Sequence, residues 1–286
     1  MAEQQCHRIA SASMQAIDLD GRRLTTWDRG EGTPLLLVHG VGTSGALWQA
    51  DLADLGAGCR VVVYDRRGYG SSSESPRDWQ AHREDAAALL DKLGAKPAVV
   101  VGYSGGAMIA LDLALHRPDL VRELVLLDPA VNVKRCITPG LIGHMLTARL
   151  LNRLGRPRRG AEHWMRYVSS YPSGGSGFDR SPVDRRETLL DNAGGIFADA
   201  DSGLGDVPEE RLASIDIPTT IVECKLSPSF LRRSCKRLRE LMPRARTVTF
   251  EHSSHHVGID AREELLALLR DVVARQGDGS ASAAAT

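Results

Sequence analysis

Residues 98–106 read Ala98-Val-Val-Val-Gly-Tyr-Ser-Gly-Gly106, an apolar run followed by a serine among glycines. The apolar run at 98–101 predicts a buried strand, and the run at 107–116 predicts a helix. Between them lies the pattern G-x-S-x-G, in which a sharp turn presents one serine on a strained backbone and glycines allow close backbone approach. Ser104 is therefore a candidate nucleophile, and the alternative is a glycine-rich turn without chemistry.

The rest of the chain alternates short apolar runs with longer helical patterns. Apolar strands linked by helices predict an α/β fold with a mostly parallel, eight-stranded sheet covered by helices on both faces. Asp20-Gly21 is a hairpin signal that adds an antiparallel pair at one edge. The predicted strands are 14–19, 22–28, 34–39, 60–65, 98–103, 123–128, 219–224 and 246–251, and the predicted core helices are 46–55, 79–93, 107–116, 228–241 and 262–275.

One long segment interrupts this alternation. Residues 130–216 contain no strand-like run and are too many for a loop between two core strands. We therefore predict a core in two parts, residues 1–129 and 217–275, with a helical lid at 130–216 inserted after the sixth strand. Helical patterns at 141–154 and 161–169 fall within the lid. The tail at 276–286 is rich in Gly, Ser and Ala and is predicted to be disordered.

The first half of the predicted lid is strongly basic. From Val131 to Arg166 it carries eight Lys and Arg residues against Glu162 alone. Such a stretch forms either a solvated helix face or a docking site for an acidic ligand, such as a phosphopantetheine carrier. An acyl carrier protein is therefore a candidate partner.

Composition narrows the class of protein. Lys plus Arg equal Asp plus Glu at 36 each among 286 residues, so the net charge gives no indication of nucleic acid or of a membrane as partner. Five scattered cysteines show no disulfide or metal-binding pattern, and we predict neither a metal nor a cofactor. Residues 1–13 are polar without a signal-peptide pattern, and no apolar run approaches a membrane span. We therefore expect a cytoplasmic protein with reduced thiols.

Four motifs together resemble the α/β-hydrolase fold superfamily over nearly the whole chain. They are His39-Gly-Val-Gly42, the Tyr64-Asp-Arg-Arg-Gly-Tyr-Gly stretch, the Ser104 pentapeptide and a late histidine after the last strand. The resemblance to serine esterases and thioesterases implies hydrolysis of a carboxylic ester or thioester through an acyl-Ser104 intermediate. The alternative is a non-hydrolytic member, a lyase, a cyclase or a ligand-binding protein, with a degenerate triad.

The resemblance also implies the groups that would assist Ser104. The backbone N–H groups of Val41 and Gly105 would form the oxyanion hole. The base would be His255, because it lies seven residues before Arg262, which opens the last helix where the family has Pro-Glu-Glu. His256 is the next candidate and His252 the last.

The acid of the triad departs from the common family pattern. The usual position after the seventh strand holds Ser227, and no carboxylate stands there. Haloalkane dehalogenases and some lipases carry the acid after the sixth strand, where this chain has Asp128, 24 residues after Ser104. Asp128 is therefore the predicted acid and Glu223 the second candidate. A dyad or a decayed triad is the remaining alternative.

Overall fold

The computed structural model describes residues 14–56, 58–76, 78–202 and 206–283, with side chains to residue 276. Within these residues one sheet contains eight strands in the order β1-β2-β4-β3-β5-β6-β7-β8. The strands are β1 Gln15–Leu19, β2 Arg22–Gly30, β3 Thr33–Val38, β4 Cys59–Tyr64, β5 Ala98–Tyr103, β6 Val121–Leu127, β7 Thr219–Cys224 and β8 Arg246–Phe250. β2 pairs antiparallel with β1 and with β4, and all other pairs are parallel. The predicted fold class is confirmed.

Helices cover both faces of this sheet. Their bounds are α1 Gly45–Leu52, α2 Gln80–Leu93, α3 Gly106–His116, α4 Pro139–Arg153, α5 Pro157–Val168, α6 Gly177–Arg180, α7 Val183–Asp191, α8 Ala193–Asp201, α9 Glu209–Leu212, α10 Ser229–Leu241, α11 Val257–Asp260 and α12 Arg262–Ala283. Val100 belongs to the core cluster that contains side chains of α2, α3 and α10, whereas its neighbours Val99 and Val101 belong to the cluster that contains side chains of α1 and α12. This alternation follows from the two-residue period of a strand and explains why β5 is apolar on both sides.

The segment between β6 and β7 is helical throughout most of its length. It carries α4 to α9, where the sequence predicts two helices. The additional helices have nine residues or fewer, which is too short to show a clear 3.6-residue period. Apolar side chains of α6, α7 and α8 join those of α4 and α5 in a separate cluster that includes Met165, Phe178, Leu189 and Ile196, whereas Leu212 of α9 packs in the main core.

The end of the chain differs from its prediction. Helix α12 continues to Ala283, so the predicted disorder does not begin at residue 276, and residues 284–286 lie outside the described residues. Extending an established helix through small residues fixes few dihedral angles per added hydrogen bond, which a compositional reading overlooks. None of the helices described is long and apolar enough to cross a membrane.

Candidate active site

The Ser104 turn has the geometry that its sequence pattern predicts. Ser104 joins β5 to α3 with φ of 55°, a left-handed value that few residues other than glycine adopt. A Cβ on Gly102 would lie 2.5 Å from the Cα of Ala107, and one on Gly106 would lie 2.1 Å from the carbonyl oxygen of Val38. Both positions therefore require glycine, because strand, turn and helix approach one another at backbone distance.

Three predicted site residues form one hydrogen-bonded chain. Ser104 Oγ lies 2.9 Å from His255 Nε2, and His255 Nδ1 lies 2.6 Å from Asp128 Oδ2. Because a carboxylate only accepts, Nδ1 carries the proton and Nε2 is left to accept from the serine hydroxyl. Tyr103 holds the ring in place: its hydroxyl donates to the His255 carbonyl at 2.6 Å, and the two rings stack with centroids 4.8 Å apart.

Asp128 is fully buried directly after β6, with φ of 41°. Besides its bond with His255, the Asp128 carboxylate accepts hydrogen bonds from the Ser227 hydroxyl at 2.6 Å and from the Cys224 backbone N–H at 3.3 Å. Ser227 stands where the family usually has its acid. The Ser227 position therefore lies next to Asp128, and the Ser227 hydroxyl orients the Asp128 carboxylate. From the sequence, Ser227 marks only a missing acid, although its hydroxyl is a possible donor to a neighbouring carboxylate.

The competing candidates lie elsewhere. His256 is buried beside Arg185, and burial together with the positive charge of Arg185 lowers the pKa of His256 to about 3. His252 is exposed. Glu223 forms an ion pair with Arg239. None of these three candidates is hydrogen-bonded to Ser104 within the described part of the chain.

The two predicted oxyanion donors lie next to each other beside the serine. Val41 and Gly105 line the same cavity as Ser104. A Cβ built on Gly105 would lie 3.4 Å from Val41 Cγ2 and 4.0 Å from the Val41 nitrogen. Gly105 also caps helix α3, whose N-terminus favours negative charge.

The orientation of the Val41 N–H is controlled from its own peptide group. The carbonyl of that peptide belongs to Gly40, and it accepts from His39 Nδ1 at 2.8 Å, from the Thr43 hydroxyl at 3.2 Å and from Arg66 Nη2 at 3.4 Å. The backbone N–H of Arg66 donates to His39 Nε2 at 2.9 Å. His39 is thus a neutral ring with both nitrogens occupied, and burial followed by the charge of Arg66 holds its pKa well below the usual value.

A residue of the segment between β6 and β7 anchors this loop. The carboxylate of Asp199, in α8, accepts hydrogen bonds from Arg66 Nη2 and from the Tyr69 hydroxyl, each at 2.7 Å. The Tyr69 hydroxyl in turn accepts a hydrogen bond from the Gly42 N–H at 3.4 Å. Burial alone would raise the pKa of Asp199, but the charge of Arg66 outweighs it and the carboxyl stays ionised. Nothing in the sequence of α8 indicates that Asp199 contacts Arg66, because the two residues are 133 positions apart in the chain.

A cavity of about 280 Å³ opens at the serine. Its walls are mostly apolar and come largely from the helices between β6 and β7, with Leu141 and Met145 from α4, Trp164 from α5 and Ile196 from α8. Such a cavity suits an apolar group next to the reactive atoms. In the described residues no group of three or more His, Cys, Asp or Glu side chains is placed to hold a metal ion.

Comparison with known proteins agrees with this architecture. Residues 35–268 match the model of the alpha/beta hydrolase family. The chain is 40% identical over 128 residues to 2-hydroxymuconate semialdehyde hydrolase of Pseudomonas sp., covering 42% of this chain and 44% of the relative. It is 40% identical over 99 residues to pimeloyl-[acyl-carrier protein] methyl ester esterase of Vibrio atlanticus, covering 34% and 36%.

Among solved structures, esterase RhEst1 from Rhodococcus sp. superimposes with a TM-score of 0.74 at 21% identity, covering 92% of this chain and 98% of that one. This likeness concerns the fold. The chain spans less than half of the length of the two curated relatives. Because the family model covers most of the chain, the protein belongs to the alpha/beta hydrolase family.

Proposed function

We propose that this hydrolase cleaves a carboxylic ester or thioester through an acyl-Ser104 intermediate. The observation that carries the proposal is the hydrogen-bonded chain from Asp128 through His255 to Ser104, which ends at an apolar cavity. A nucleophile, a base and an orienting acid in this order are the arrangement that acyl transfer needs.

The first half of the reaction would form the acyl-enzyme. Ser104 Oγ attacks the carbonyl carbon while His255 Nε2 takes the hydroxyl proton, and Asp128 stabilises the resulting imidazolium. The negative charge that develops on the carbonyl oxygen would be bound by the N–H groups of Val41 and Gly105. Collapse of the tetrahedral intermediate breaks the bond to the alkoxide or thiolate, which leaves with the proton from His255.

Water would complete the cycle. His255 Nε2 removes a proton from a water molecule, the hydroxide attacks the acyl carbon, and Ser104 leaves with the proton returned by His255. The acid product and the free serine result, so no other reactant is needed. The complete chain of hydrogen bonds favours this chemistry over the non-hydrolytic alternative, which the absence of a carboxylate at position 227 had motivated.

The lid would select the acyl group. We propose that residues 130–216 act as a unit over the core parts 1–129 and 217–275, because α4, α5 and α8 supply most of the cavity wall. Apolar walls favour an aliphatic or aromatic acyl chain over a charged one. An acyl carrier protein as the source of the substrate and a cytoplasmic location stay predictions.

A fluorophosphonate probe tests the proposal. We expect covalent labelling at Ser104, found by mass spectrometry of the peptide, and no labelling of Ser104→Ala or His255→Ala. Parallel assays with 4-nitrophenyl esters and with acyl thioesters of N-acetylcysteamine separate the two leaving groups. An unlabelled Ser104 in folded protein would contradict the proposal.

A further inference from the structure

The outer side of lid helix α4 carries an exposed apolar stripe. Ile142, Leu146, Leu150 and Leu154 are 45%, 62%, 57% and 62% exposed. Residues four apart lie on one side of a helix, so the four side chains form a continuous row. Of six large apolar side chains exposed in the described residues, only Val183 lies outside the stretch from residue 137 to 154.

This stripe is not required to build the cavity. Leu141, Met145 and Ala148, on the opposite side of α4, line the cavity wall. The outer row therefore contacts neither the substrate site nor the protein core, and an exposed row of large aliphatic side chains marks an interaction site.

Positive charge accompanies the stripe at one end. Arg153, Arg156 and Arg159 are exposed, and none of them forms an ion pair with the described residues. The other five cations of the basic segment do have acidic partners. The sequence contains no Asp or Glu between Asp128 and Glu162, so the acidic partners of those five cations come from outside that stretch. We call the four apolar residues and these three arginines the lid patch.

One exposed apolar side chain stands at the cavity itself. Ile137, just before α4, is 47% exposed and also lines the cavity. The edge of the cavity therefore presents apolar surface of its own.

We propose that the lid patch docks on an anionic lipid surface. Such a surface offers hydrocarbon to the stripe and phosphate groups to the arginines at the same time. Pairing the patch with that of a second copy would bring six unpaired arginines together without an acidic residue from either segment. The expectation of no membrane partner came from the zero net charge of the whole chain, which conceals this local concentration.

One part of this inference rests on the proposed function, namely the substrate, which would be an ester of an apolar acyl group held in that lipid surface. Docking would place the lid, rather than the core, against the lipid. A peripheral interaction of this kind needs no membrane-spanning helix.

Vesicle co-sedimentation tests the docking independently of catalysis. The probe is a vesicle of phosphatidylcholine and phosphatidylglycerol in equal parts, with phosphatidylcholine alone as reference, and the protein carries Ser104→Ala so that no lipid is cleaved. We expect binding to the mixed vesicles at least about tenfold above the reference, weakened by salt. Leu146→Asp with Leu150→Asp lowers it at least about tenfold, whereas the matched control Val183→Asp does not.

Charge variants complete the test. Arg153→Gln with Arg156→Gln weakens binding to the mixed vesicles by roughly 25-fold, about fivefold for each charge. Far-UV circular dichroism and the thermal midpoint report whether each variant is folded. Vesicle binding by a protein that cleaves no ester would support the lid patch and overturn the proposed function.

Three results would overturn the docking proposal. One is a folded protein that does not bind mixed vesicles. Another is a dimer in light scattering that Leu146→Asp with Leu150→Asp dissociates while vesicles are ignored, which assigns the patch to a second copy. The third is binding of a holo-acyl carrier protein in place of vesicles, lost in the same variant.

Discussion

Replacing Asp128 by asparagine tests how the serine is activated. Asp128 Oδ1 receives the Cys224 N–H, so an asparagine carbonyl is held there and its NH₂ group faces His255 Nδ1. Since Nδ1 then has to accept, the ring proton moves to Nε2, which faces Ser104 and no longer accepts the hydroxyl proton. The size and shape of the side chain are unchanged, so the fold is retained.

The expected loss follows from this tautomer change. In triads of this kind the same substitution lowers kcat by about 10⁴, which corresponds to about 5 kcal/mol of transition-state stabilisation. We expect Asp128→Asn to lose kcat by about 10³ to 10⁴ on 4-nitrophenyl butanoate while KM changes little. The matched control is Glu223→Gln, whose ion pair with Arg239 lies outside the triad and whose kcat should equal that of the wild type. A folded Asp128→Asn that keeps kcat within about tenfold would show that Asp128 does not orient His255 for catalysis.

Three further outcomes are expected. Ser227→Ala removes one donor to the triad carboxylate and should lower kcat by about tenfold, far less than loss of the carboxylate; steady-state kinetics on the same ester would expose an effect as large as 10³. Asp199→Asn weakens the anchor of the oxyanion loop and should lower kcat more than it raises KM, whereas Asp201→Asn, in a surface ion pair of the same helix, should not; equal effects would contradict an oriented loop. The pKa of His256 is about 3 in the folded chain and about 6.5 in the unfolded chain, so only the unfolded chain gains this proton as pH falls from 6.5. His256 should therefore lower the free energy of unfolding by about 1.4 kcal/mol per pH unit over that range. His256→Gln should reduce the slope of stability against pH measured in urea titrations.

The sheet was predictable because each core strand carries its own signal. The run at 98–101 is apolar at every position because both faces of β5 are covered. Glycine is needed at positions 102 and 106 because an added Cβ would lie 2.5 Å or less from neighbouring backbone atoms. Motif spacing also singled out His255 and Asp128, which the structure brings within 2.6 Å of each other across 127 residues.

Contacts between distant segments of unremarkable sequence were not predictable. Asp199 lies in a nine-residue helix with no motif, and its role beside Arg66 depends on how α8 packs against the loop after β4. The family pattern predicts an acid at position 227, so the sequence shows Ser227 only as the loss of that acid. Its role as a hydrogen-bond donor depends on the position of Asp128 in the folded chain. The exposed stripe of α4 has the composition of a core helix, so only the packing reveals which side stays outside.

The acyl-enzyme itself is the most direct test of the account. We would mix wild-type protein with excess 4-nitrophenyl butanoate, quench with acid within the first turnover, and measure the intact mass and that of the peptide carrying Ser104. An acyl-serine mechanism predicts a butanoyl adduct on Ser104 and a burst of one nitrophenolate per active site, both absent in Ser104→Ala. Turnover without an adduct, or an adduct on another residue, would contradict it.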